Sequence, residues 1–337
     1  MDMPRCTKID RGTERRNGMR NNQRVSLLAK MMAALGALGA LMAVALRVWF
    51  APAQRDIETG LFTNDLTTIV LLLAVVAGLG ALVYLMRGCP RAEITQRPAL
   101  VLSVTLLVVG VVMTLFGIVE LLARFGVLAF YTVSTSMDAV TPMAALLQWL
   151  QSAFCILGGV ALVRYGLVLA SEGATRRGSA LWSLLAPVMW LWFTLANYEM
   201  SYASMVRLSD GFFSLMMYVF EMLFLLAFAR YMSGVGKMSV GLLLFCAGGT
   251  VTFALSAPLV RVIMYLLQDV EAYTAAGTAG VLDLMVGVLA LITALTLCHS
   301  VGQVEEPVYE EDAPVWSGEV DDSDAELIEM SEDAIAE

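Results

Sequence analysis

One histidine, His299, stands in the whole chain. A zinc centre of the usual nitrogen–sulfur type draws on several His or Cys ligands at helical or hairpin spacing, and the sequence offers no such set. Cysteine is sparse too. Cys6, Cys89, Cys155, Cys246 and Cys298 form no C-x-x-C pair, and none falls in a segment that the topology below puts outside the cytoplasm. Reduced thiols are therefore expected. There is no Walker A loop, no G-x-G-x-x-G in context and no G-x-S-x-G elbow. An enzyme is not expected, and no catalytic residue, cofactor or metal site is assigned. A membrane enzyme built on carboxylates alone stays open, but no residue points to one. Nucleic acid is not an expected partner.

Charge is the next shortage. Charged residues make up 15% of the 337, against about 25% in soluble domains. Hydrophobic residues make up 59%. The net charge of −9 misleads, because its two poles lie at the chain ends. Residues 1–30 hold eight Lys or Arg and three acids, whereas residues 305–337 hold fourteen acids and no base.

Between these poles are long apolar runs. Several reach the roughly 18 residues that a hydrocarbon core of about 30 Å demands. They predict an all-α, polytopic membrane bundle of eight spanning helices, at about 27–50, 66–86, 99–120, 143–163, 179–198, 212–231, 238–258 and 276–298. Lipid leaves no water for backbone groups, so helices are the expected solution; no period-two strands suggest a barrel. Of the 21 Lys and Arg, 16 fall on the side of the first terminus, and five, Arg47, Arg55, Arg124, Arg207 and Arg261, on the other. Both termini are therefore expected in the cytoplasm. "FAPAQ" at 50–54 carries a small-x-small sequence like a signal-peptidase site, but Arg47 interrupts the apolar approach to it. Retention of the first helix as an anchor is expected over cleavage.

The expected organisation is a basic cytoplasmic arm over 1–26, a transmembrane domain over 27–298 and an acidic, disordered cytoplasmic tail over 299–337. From Val304 onward acids mix with isolated apolar residues, too few to bury a core. Arg15, Arg16, Arg20 and Arg24 suit anionic lipid headgroups, at about 1 kcal/mol each near the surface. The tail suits a basic cytoplasmic protein, the arm of its own chain, or no partner at all. A homo-oligomer is compatible with the sequence. The short loops, the Ala-, Leu- and Met-rich helices and the charged tail resemble bacterial inner-membrane proteins in general look. No motif carries that resemblance; it implies the cytoplasmic membrane and nothing about function.

Within the spans, "LMMYVFEMLFLLAFARY" at 215–231 holds Glu221 near its middle. Entering at Phe212, Glu221 lies roughly 14 Å deep at about 1.5 Å per residue. Ser214, Tyr218 and Glu221, at i, i+4 and i+7, share one face. A central charge costs about 2.5–3.5 kcal/mol, and each Leu, Ile, Phe or Val returns roughly 0.3–0.6 kcal/mol, so the helix still inserts. Once inside, the carboxyl needs a partner, a proton or water.

Other polar residues gather toward the outer half. They are Asp283, Arg261, Glu199, Asn197 and Glu120, with Gln148 and Gln151 on the fourth helix. Arg261 is the expected partner of Asp283, as an outer gate pair. Pro187, the Gly248-Gly249 pair and Pro258 suggest helix breaks of the kind that build mid-membrane sites in transporters. Each feature also has a plainer reading. A lone carboxyl can hydrogen-bond a neighbouring helix, charges near the interface are cheap, and small residues often mark close packing. The leading expectation is a transporter-like or permeation-related protein for a small solute or ion. The alternative is a non-catalytic scaffold or sensor subunit that works through its tail.

Overall fold

The computed structural model describes residues 9–54, 66–86, 96–126, 142–172, 179–202, 208–233, 240–260, 263 and 274–302. Among these residues the regular structure is entirely helical. Eight long helices follow one another: α1 (Ile9–Gln54), α2 (Leu66–Leu85), α3 (Gln96–Arg124), α4 (Pro142–Glu172), α5 (Ser179–Tyr202), α6 (Leu208–Ser233), α7 (Val240–Ser256) and α8 (Thr274–Gly302). Seven contain stretches long and apolar enough to cross a membrane. The eighth expected span falls on α5, whose 24 residues reach about 36 Å at ~1.5 Å per residue.

The chain divides into Met1–Val304 and Glu305–Glu337. The second unit, which holds most of the acidic tail, lies outside the described residues. The basic arm is not separate from the first span in the backbone: α1 is helical from Ile9, well before the apolar run begins.

The packing order follows the chain in part. Helices α3, α4, α5, α6, α7 and α8 touch in succession, and α8 touches α3, which closes a ring. α1 lies on α7 and α8, and α2 lies on α1 and α7. α7 is the hub, with 83% of its spanning window buried, while α2 has only 22% buried and is peripheral. The outward faces are apolar, as in Leu38, Leu41, Val70, Leu157 and Val160. Lipid supplies no hydrophobic drive between helices, so close packing and interhelical hydrogen bonds must hold them together.

Both devices are present. At the α1–α7 crossing a Cβ on Gly36 would lie 3.1 Å from the carbonyl oxygen of Gly248, so the two backbones nearly touch. Ser103 Oγ on α3 donates to the Gly166 carbonyl on α4 at 2.6 Å, with both ends buried. Ser103→Ala leaves that carbonyl to its helical bond alone. It is expected to cost about 0.6–1 kcal/mol, read as a lower melting temperature of the purified protein in detergent. α3 ends where Gly126 takes φ 72, with its N–H on the Ala123 carbonyl at 3.0 Å, a left-handed stop that glycine adopts without a Cβ penalty.

Helical structure continues at the expected break positions Pro187, Gly248 and Gly249. α5 runs through Pro187 and α7 runs through both glycines. The glycines serve contact. A Cβ on Gly248 would meet the Leu79 side chain of α2 at 3.2 Å, and one on Gly249 would fall into the Phe220 ring of α6. Pro187 packs its ring side against α4, where a Cβ on Gly158 would lie 3.2 Å from the Pro187 backbone. Pro258 follows the end of α7, whose last turn closes with the Ala257 N–H on the Phe253 carbonyl at 3.1 Å.

Candidate functional site

α6 brings its polar face inward. Ser214, Tyr218 and Glu221 are all buried, and Glu221 is 0% exposed. Large side chains surround that stretch, with Phe213, Phe224 and Phe228 fully buried on the same helix. The Phe220 ring stacks on Phe253 of α7 with centroids 5.4 Å apart.

α7 is clamped to α6 one residue before the glutamate. Thr250 Oγ1 lies 2.9 Å from the Phe220 carbonyl and 2.9 Å from the Cys246 carbonyl of its own helix. That hydroxyl is committed to main-chain acceptors. Neither carboxyl oxygen of Glu221 has a hydrogen-bond partner, and both are fully buried.

A second buried acid, Asp283, comes from α8. Asp283 is 2% exposed. α6 and α8 touch directly, across the ring. A third charged side chain closes the end where α1 finishes and α6 begins. Arg47 is 3% exposed, and its guanidinium carbon lies 4.2 Å from the centroid of the Phe213 ring. A cation over an aromatic face is attracted by the ring quadrupole, most strongly where water is excluded. Phe213 precedes Glu221 by eight residues, about 12 Å along the helix at ~1.5 Å per residue.

The remaining polar residues separate into local pairs. Asn197 of α5 donates through Nδ2 to Gln151 Oε1 of α4 at 3.0 Å. Glu120 pairs with Arg124 one turn along α3 at 2.5 Å, a partner the sequence reading had counted only as a loop charge. Glu199 lies in the last turn of α5, but its side chain is outside the described residues, as is the whole of Arg261. The expected Asp283–Arg261 gate pair therefore falls outside what is described. Arg47 was missed as a site residue because a basic residue near a span end counts as a topological charge. A sign was present in "MAVALRVWF" at 42–50: the arginine interrupts the apolar run before that run ends.

The described residues contain no group of three or more His, Cys, Asp or Glu that would hold a metal ion. Arg47, Glu221 and Asp283 are thus buried on α1, α6 and α8, and both carboxyl oxygens of Glu221 are without hydrogen bonds.

The helices, their length and their apolar outer faces define a polytopic integral membrane protein. A scan against family models, a search of curated proteins and a search of solved structures each found no match to this chain.

Proposed function

We propose that this protein moves a small solute or ion across the cytoplasmic membrane, using Glu221 as the group that gains and loses a positive charge mid-way. Tyr218 and Ser214 line the same face of α6, and α8, which touches α6, carries the buried Asp283. One observation carries the reading. A carboxyl sits in the middle of a spanning helix, fully buried, with neither oxygen hydrogen-bonded. Such a group is expensive and does nothing for packing, and intramembrane acids of this kind mark ion and proton paths. The reading takes both termini as cytoplasmic from the positive-inside bias, with Asp283 and Arg47 toward the outer end of the path.

A working cycle must open this pocket to water from at least one side. That is testable in intact cells, in a full-length background with the five native cysteines replaced. Tyr218→Cys and Glu221→Cys are expected to react with a membrane-impermeant maleimide, while Leu225→Cys, buried one turn further on, stays unlabelled. Full labelling after denaturation in SDS shows that each thiol is present. A folded protein in which the thiols at 218 and 221 react no faster than the one at 225 has a sealed carboxyl, and the permeation reading fails.

A further inference from the structure

α3 ends in two charged side chains that do not satisfy each other. Arg124 Nη2 donates to Glu120 Oε1 at 2.5 Å. Glu120 Oε2, Arg124 Nε and Arg124 Nη1 are buried atoms with no hydrogen-bond partner. An arginine carries one N–H on Nε and two on each Nη, so most of its donors are left without an acceptor. A buried polar atom without a partner costs more than a made bond returns, and more again on a charged group. The pair sits where the span stops: Arg124 is its last residue, and Gly126 turns the chain just beyond.

The neighbouring helices do not supply the missing partners. α4 packs antiparallel on α3, so that Gly110 meets Gly159 and Val163, and Gly117 meets Cys155 and Ile156. Continued along both helices, that register puts Glu120 level with Gln151 and Arg124 level with Gln148. Acceptors there are engaged elsewhere. Gln151 Oε1 accepts from Asn197 Nδ2 at 3.0 Å, and the Gln148 main-chain carbonyl accepts from Ser152 Oγ at 3.2 Å. Beside them Phe125 and Trp149 meet edge to face with centroids 5.2 Å apart, and both rings are exposed. Exposed aromatic rings at the end of a span mark the depth of lipid headgroups. Arg124 and Glu120 keep 10% and 14% of their side chains exposed, so the pair has an edge at that surface. Both side chains are long and rotatable, and a ligand at that edge can draw the unpartnered atoms onto itself.

The atoms left over describe the ligand. Adjacent guanidinium donors fit an oxyanion, phosphate above all. A carboxylate oxygen next to them fits an N–H donor and repels a second anion. We propose that the Glu120–Arg124 pair binds a zwitterion carrying a phosphate and a primary ammonium, the headgroup chemistry of phosphatidylethanolamine. The phosphate accepts from Arg124 Nη1 and Nε, and the ammonium donates to Glu120 Oε2. Neither residue belongs to the permeation path proposed above.

Native mass spectrometry of the full-length protein reads which lipid it retains from an equal mixture of phosphatidylethanolamine, its N-methylated forms, phosphatidylcholine and phosphatidylglycerol, all with the same acyl chains. Each methyl replaces an N–H, so retention should fall along the series. The choline lipid should bind about tenfold less, the worth of one charge-assisted hydrogen bond. Glu120→Gln should narrow the gap between ethanolamine and choline lipids, and Arg124→Gln should weaken retention of both. The N-methyl series is read on the wild type, so it decides even where a substituted protein fails to fold. Discrimination among the lipids assigns the site to a headgroup. Equal retention of them, with a melting temperature raised by phosphoethanolamine and not by phosphocholine, assigns it to a soluble zwitterion. No discrimination in either series overturns the proposal and leaves ordered water as the partner of these atoms. Preference for phosphatidylglycerol also overturns it, in favour of a plain anion on Nη1 with Nε closed onto Oε2.

Discussion

Glu221→Met is expected to make the folded protein more stable and to abolish whatever the pocket does. Most substitutions at fully buried positions destabilise, typically by about 1 kcal/mol, because they leave a cavity or strain. Here the removed group makes no hydrogen bond, and its burial cost is unrepaid. Methionine is unbranched, of similar length and adaptable, so it fills the same space against Phe224 and the Phe220–Phe253 stack. Replacing buried ionic groups by apolar ones of similar volume is often neutral or stabilising by about 1–4 kcal/mol. The melting temperature in detergent should therefore rise by a few degrees. Thr250→Val is the contrast: it removes the clamp between α7 and the Phe220 carbonyl, so its melting temperature should fall. A fall of similar size for Glu221→Met would mean that the carboxyl holds helices together, and the site would lose its functional reading. A gain in stability at the expense of activity is the usual signature of a site kept for function.

The spans were legible because lipid imposes a one-dimensional rule: about 20 apolar residues in a row, with backbone groups satisfied internally. The depth of Glu221 and its shared face with Ser214 and Tyr218 follow from the helical period alone. What was not legible is what depends on a neighbour. Glycine has two uses, conformational freedom and a missing Cβ, and a sequence does not tell them apart. Gly248 and Gly249 were read as a break. Gly36 on α1 and the Phe220 ring on α6 decide for close contact, and neither is near them in the chain. Glu120 was grouped with Asp283 by depth, but its partner is Arg124, one turn along its own helix. Arg47 looked like a loop charge until α6 placed Phe213 beneath it. The closure of α8 onto α3, which completes the ring, has no local signal at all.

The same contact logic gives the largest expected loss of stability, at Gly159. A Cβ there would fall 2.5 Å from the Thr114 amide nitrogen and 2.6 Å from the Gly110 carbonyl oxygen, and would also strike Thr114 Oγ1. From the other side, a Cβ on Gly110 would lie 2.7 Å from the Gly159 oxygen and 2.8 Å from the Val163 nitrogen. These neighbours are mostly backbone, so no rotamer change relieves the overlap; α3 and α4 must move apart. Overpacking of this kind costs about 1–3 kcal/mol, and the added methyls of valine exceed that of alanine. Gly159→Ala should lower the melting temperature clearly, and Gly159→Val should lower it further. Gly80 on α2 is the internal control, since a Cβ there meets nothing within 4 Å. Gly80→Ala should be neutral or stabilising, by up to about 0.5–1 kcal/mol of helix preference. α3 also touches α8, so parting α3 from α4 disturbs the ring that α8 closes. Equal responses at the two glycines would mean that intrinsic helix preference, and not backbone contact between α3 and α4, governs stability here.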